Sequence, residues 1–96
     1  MKVIIGYQEY DVVLKDEIYH KNELVNGLID SDNDKIYVQD SDDSAKKQHI
    51  FLHEVLHGIA DMFHLDLTET EIDLMALGLL MLKRDNPGLG EKMNDL

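Results

Sequence analysis

The apolar residues between Phe51 and Phe63 recur with helical period, and this constrains the chain more than any other feature of its sequence. At about 100° per residue, Phe51, Leu52, Val55, Leu56, Ile59, Met62 and Phe63 fall on one side of a helix, while His49, His53, His57 and His64 cluster on the other. One face is suited to packing and the opposite face is lined with imidazole. The helix is expected to open at Ser41 or Asp42, either of which can cap it, and to run through Ala45 to about His64.

A second helix is expected after the loop Leu65-Asp66-Leu67-Thr68. Thr68 and Glu71, three residues apart, have the pattern of a capping box. The helix should end near Arg84, because Asn86-Pro87-Gly88 cannot continue it. Residues 89–96 carry no periodicity and are expected to form a frayed tail behind a single domain of residues 1–88.

The first forty residues read differently. Short runs of β-branched and aromatic residues at Val3–Ile5, Val12–Leu14, Leu24–Ile29 and Ile36–Val38 are separated by turn-forming residues. The polar cluster Asp30-Ser31-Asp32-Asn33-Asp34 between two of these runs predicts an antiparallel hairpin. The expected fold is α+β, a small N-terminal antiparallel sheet packed on two C-terminal helices.

A formal charge of −11, from 20 acidic against 9 basic residues, would repel phosphate backbones, so nucleic acid is not expected as a partner. The acidic stretch Asp30, Asp32, Asp34, Asp40, Asp42 and Asp43 reads as solvated surface. Asp30-x-Asp32-x-Asp34 resembles the start of a calcium loop, but Lys35 stands where glycine is needed and Ser41 where a bidentate Glu is needed. No stretch approaches the roughly 20 apolar residues of a membrane span, and the N-terminus is too short in apolar residues for a signal peptide. With no cysteine, any metal must be held by His and carboxylates, and a cytoplasmic location is expected.

His53-Glu54-Val55-Leu56-His57 has the H-E-x-x-H spacing. Positions i and i+4 of a helix stand one above the other, so two imidazoles can reach one zinc ion, and Glu54 is placed to act as general base toward a water. The third ligand is expected on the second helix, where Glu69, Glu71 and Asp73 are candidates and Glu71 is preferred. Glu69 competes as a first-turn acid that complements the helix dipole, and the capping box competes for the Glu71 carboxylate. His49 is expected at the entrance or surface, His64 lies too far along the axis to share the ion, and His20 carries no pattern.

His53-Glu54-Val55-Leu56-His57-Gly58, followed by Glu71-Ile72-Asp73-Leu74-Met75-Ala76-Leu77-Gly78-Leu79 and Asp85-Asn86-Pro87, resembles the small phage- and prophage-type zinc metallopeptidase-like proteins allied to the ImmA/IrrE group of gluzincins. The resemblance implies Glu71 as third zinc ligand and Asp73 as a residue that orients a histidine ligand. It implies a zinc metalloendopeptidase acting on a protein or peptide, such as a phage or host regulator, with an edge strand that holds an extended substrate. No transition-state stabiliser is assignable; Tyr7, Tyr10, Tyr19 and Tyr37 are candidates by residue type alone. The alternative is a zinc-stabilised binding module, catalytically weak or inactive, acting by association. A metal-free α+β domain is the plainest reading. Leu77 and Leu80 make the second helix apolar nearly all round, which raises the expectation of a homo-oligomer through that helix.

Overall fold

The computed structural model describes residues 1–96. The N-terminal part holds six strands: β1 (Lys2–Ile5), β2 (Gln8–Lys15), β3 (Ile18–His20), β4 (Glu23–Val25), β5 (Gly27–Asp30) and β6 (Lys35–Gln39). Three helices follow, α1 (Ser44–Met62), α2 (Glu69–Asp85) and α3 (Leu89–Asn94).

Four strands form one sheet in the order β1-β2-β6-β5, and β3 and β4 form a separate antiparallel hairpin. Gly6, with a positive φ of 64°, starts the tight turn between β1 and β2, where Ile5 pairs with Gln8. The expected hairpin is present, since β5 and β6 pair antiparallel from Gly27↔Val38 to Asp30↔Lys35. Its loop is held by Asp30, whose carboxylate accepts hydrogen bonds from the Asn33 backbone and side chain at 3.2 and 2.8 Å.

The sheet is not wholly antiparallel, because β2 and β6 run parallel through its centre, with Val12↔Ile36 and Leu14↔Val38 in register. The physical reason lies in residues 16–30. The run Leu24–Ile29, expected as one strand, breaks at Asn26 into β4 and β5. The β3–β4 hairpin and β5 together return the chain, so β6 enters beside β2 in the same direction.

Asp43 caps α1 in place of Ser41 or Asp42, accepting from the Lys46 backbone N–H at 3.1 Å. Ser41 accepts instead from the backbone N–H of Asp43, which fixes the approach to the cap. The helix stops at Met62, and Phe63 and His64 turn out of it, His64 with a φ of 55°. Phe63 is therefore exposed rather than part of the packed arc. The Thr68–Glu71 capping box opens α2 as the spacing predicts. Residues 89–94 wind into the short α3 where a frayed tail was expected, with Gly88 in the left-handed region joining it to α2.

Helix α1 lies between two partners. Toward the sheet, Ile50, Phe51, Val55 and Ile59 pack on the cluster Ile5, Tyr10, Ile36 and Val38. Toward α2, Leu56 packs with Ile72 and Ala76, flanked by Leu52 and Leu67. Burial on both sides explains why its apolar arc is broad. No helix is long and apolar enough to cross a membrane.

Candidate metal centre

His53 and His57 stand on the α1 face that meets the first turn of α2. Their Nε2 atoms are 3.2 Å apart. The Glu69 carboxylate closes the group, with Oε1 2.7 Å from His57 Nε2 and Oε2 3.0 Å from His53 Nε2. One donor atom from each residue lies within 4.8 Å of the others. Tetrahedral zinc, with bonds of about 2.0–2.1 Å, separates its ligand atoms by about 3.3 Å. Two imidazoles and a carboxylate at these separations fit such an ion, with a fourth position left over.

Glu71, the expected third ligand, does not belong to this group. Its carboxylate accepts from the Thr68 backbone N–H at 2.8 Å while its own N–H donates to Thr68 Oγ1 at 3.1 Å. Hydrogen bonding from Thr68, chiefly its backbone N–H, holds the Glu71 pKa below the usual glutamate value. The helix register gives the reason. Glu69, Ile72, Asp73 and Ala76 share the face turned to α1, and Ile72 and Ala76 are the residues buried there. Glu71 sits about 100° round from Ile72, away from the histidines. Glu69, Ile72 and Ala76 follow the i, i+3, i+7 spacing, but Glu71, Leu74 and Gly78 do too, so the burial of Ile72 and Ala76 against α1 is what separates the two glutamates.

Asp73 lies against two of the histidines. Its Oδ1 is 3.2 Å from His53 Nδ1 and 3.1 Å from His49 Nε2. With the hydrogen on Nδ1, His53 donates to Asp73 and presents the lone pair of Nε2 to the group. His49 is thereby tied to the site through a shared carboxylate and lines the cleft beside it, the entrance being one of the two places expected of it.

Glu54 points to the other side of the histidines and is buried at 8% exposure between α1 and β5. Burial pushes its carboxyl up to about 7; the neighbouring His53 pulls it down, the Glu69 carboxylate raises it further, and the Ile29 backbone N–H lowers it. The sequence reading did not single out Gly27, which makes room for it. A Cβ at Gly27 would lie 2.7 Å from Ile50 Cγ2 and 3.0 Å from Glu54 Oε2, so only glycine lets the strand approach this closely. A cleft of about 420 Å³ lies here, lined by Gly27, His49, His53, Glu54, Glu69 and Asp73 among others.

The tyrosines are elsewhere. Tyr7 and Tyr10 line a different cavity of about 310 Å³ with Asp61 and His64, Tyr19 donates to Glu17, and Tyr37 lies under Lys15. His20 is in β3, and Asp30 and Asp34 are occupied by Asn33 and Gln8 within the hairpin tip. Compared with protein-family models, curated proteins and solved structures, the chain matches none.

Proposed function

We propose that this chain is a zinc-dependent peptide-bond hydrolase whose metal is held by His53, His57 and Glu69. The observation that carries the reading is the convergence of those three donors, with His53 and Glu69 lining the same cleft as one buried carboxylate, Glu54. Zinc would supply Lewis acidity at a scissile carbonyl and lower the pKa of the attacking water. Glu54 takes the proton from that water and returns it to the leaving amine, a task suited to a carboxyl whose pKa burial brings near neutrality. Asp73 holds His53 in one tautomer and orientation. Strand β5 lies at the edge of the four-stranded sheet next to Glu54, where an extended peptide can pair with its backbone. The resemblance to phage- and prophage-type metallopeptidases favours a protein substrate such as a phage or host regulator, and the cysteine-free chain suits the cytoplasm.

The second reading is a zinc-stabilised binding module, favoured by the exposed apolar side chains of α2. One experiment separates the two. Metal analysis of the purified protein should give one zinc per chain, and mass spectrometry of host lysate treated with wild type should reveal new peptide termini that Glu54→Gln fails to generate while retaining its zinc. Absence of zinc sinks both readings. Zinc with identical termini from the two proteins leaves the binding module.

A further inference from the structure

Helix α2 buries one narrow face. Ile72 and Ala76 are covered by α1, while Leu74, Met75, Leu77, Leu79, Met81 and Leu82 remain 42–62% exposed. Over Leu74-Met75-Ala76-Leu77-Gly78-Leu79-Leu80-Met81-Leu82 there is no polar or charged side chain. So much exposed apolar surface on one helix marks an interaction face. The radius of gyration of 13.9 Å also exceeds the roughly 12.5 Å of a compact 96-residue domain, as expected where a helix is packed on one side only.

The order of those residues identifies the occupant. Read outward from Gly78, Leu77 is matched by Leu79, Met75 by Met81 and Leu74 by Leu82; only Ala76 and Leu80 differ. Beyond the apolar block, Asp73 is matched by Lys83. A segment that reads nearly the same in both directions complements itself about a two-fold axis, the symmetry of an isologous dimer. Antiparallel α2 helices related through Gly78 would bring Leu to Leu and Met to Met and oppose the two helix dipoles, while Asp73 and Lys83 stay turned to α1 in their contacts with His53 and Gln48.

Gly78 suits the crossing point. It lies on the outward face, and a Cβ built there meets nothing within 4 Å, so its role is not internal packing. Glycine allows two helix backbones to approach closely where they cross. Glu71 and Asp85 would face each other at the ends, but each already has a partner, Glu71 in the Thr68 cap and Asp85 in its contact with Arg84 at 2.9 Å. Glu69 faces α1, so the metal group is not consumed by this contact.

We infer that α2 is a self-association surface through which two copies of this chain pair antiparallel about Gly78. A helix pair buries less than the roughly 800 Å² per partner of a standard interface, so the dissociation constant should fall at about 1–100 µM. Sedimentation equilibrium of the full chain should show a mass rising with concentration from 11.0 kDa to twice that value. Gly78→Glu and Gly78→Lys touch no core residue and replace a poor helix former, so both fold, and each alone should stay monomeric because like charges meet on the axis. An equimolar mixture of the two should recover the dimer mass. The inference is overturned if wild type stays at 11.0 kDa up to about 0.5 mM, if it grows past a dimer into open polymers, if either variant alone dimerises like wild type, or if the mixture fails to pair.

Discussion

Truncating Ile72 to alanine tests whether α2 is held where it must be to bring Glu69 to the histidines. Ile72 is 1% exposed, packed with Leu56 and Ala76 and flanked by Leu52, Ile59 and Leu67. Ile72→Ala removes three carbons, a transfer loss of about 2.4 kcal/mol at about 0.8 per methylene. The space left behind adds about 1–2 kcal/mol if the helices collapse only in part. Alanine's better helix propensity returns about 0.4 kcal/mol. The net cost of about 3–4 kcal/mol is a large part of the roughly 5–14 kcal/mol available to a domain of this length. Urea unfolding at low micromolar protein, with zinc chelated, measures it directly, and Leu74→Ala, two residues on at the 62% exposed position on the opposite face of α2, is the control, expected to change stability by less than about 0.5 kcal/mol. Because Glu69 sits one turn before Ile72, the loosened helix should also weaken zinc binding. A cost below about 1 kcal/mol for Ile72→Ala, or an equal cost for Leu74→Ala, would refute this account of how α2 is anchored.

Glu69→Gln should weaken zinc binding about 10²-fold, taking roughly 10–16 kcal/mol of zinc binding spread over four ligand positions, whereas Glu71→Gln should leave zinc affinity within a factor of a few; competition with a chromogenic chelator reads both, and the reverse order would assign the ligand to Glu71. Gly27→Ala should cost about 1–3 kcal/mol by overpacking against Ile50 and Glu54, seen as a lower urea midpoint, and an unchanged midpoint would show that β5 does not press on α1. Asp11, held low by hydrogen bonds from Lys35 and Lys2, stabilises the fold above the ordinary aspartate pKa and loses that contribution as pH falls through its own lowered value. The stability gap between wild type and Asp11→Asn should therefore be present at neutral pH and close in acid; a gap that is constant with pH would contradict the ion pairing.

What could be read from the sequence was what depends on near neighbours. The Asp30–Asp34 turn, the Thr68 capping box and the i, i+4 histidines are each decided within a few residues, and the structure has all three. The parallel β2–β6 pair joins residues 24 apart in sequence, Val12↔Ile36, and depends on where the intervening chain breaks, which the apolar run Leu24–Ile29 conceals. Glu69 and Glu71 are alike in chemistry and differ only in which face of α2 is buried; the cap that claims Glu71 was visible, but its consequence for Glu69 needed the register of Ile72 and Ala76 against α1. Glu54 burial and the role of Gly27 arise from a strand lying on a helix, a contact that no local pattern encodes.

The placement of β6 beside β2 also bears on how the chain folds. Gly27, His53, Glu54 and His57 all lie within the contiguous run β5-β6-α1, where a hairpin leads through a short capped link into a helix. The β5–β6 hairpin closes the smallest loop and forms early, whereas Gly27 meets Glu54 across 27 residues and Val12 meets Ile36 across 24, so neither contact is favoured over the other by chain length. The wall of the cleft and the centre of the sheet therefore close together around the β5–β6 hairpin, and the arrival of α2 adds Glu69 and Asp73. Substitutions of Ile5 in β1 or Tyr10 in β2 should therefore be felt at Glu54, because Ile50 and Val55, which flank it on α1, rest on the same cluster.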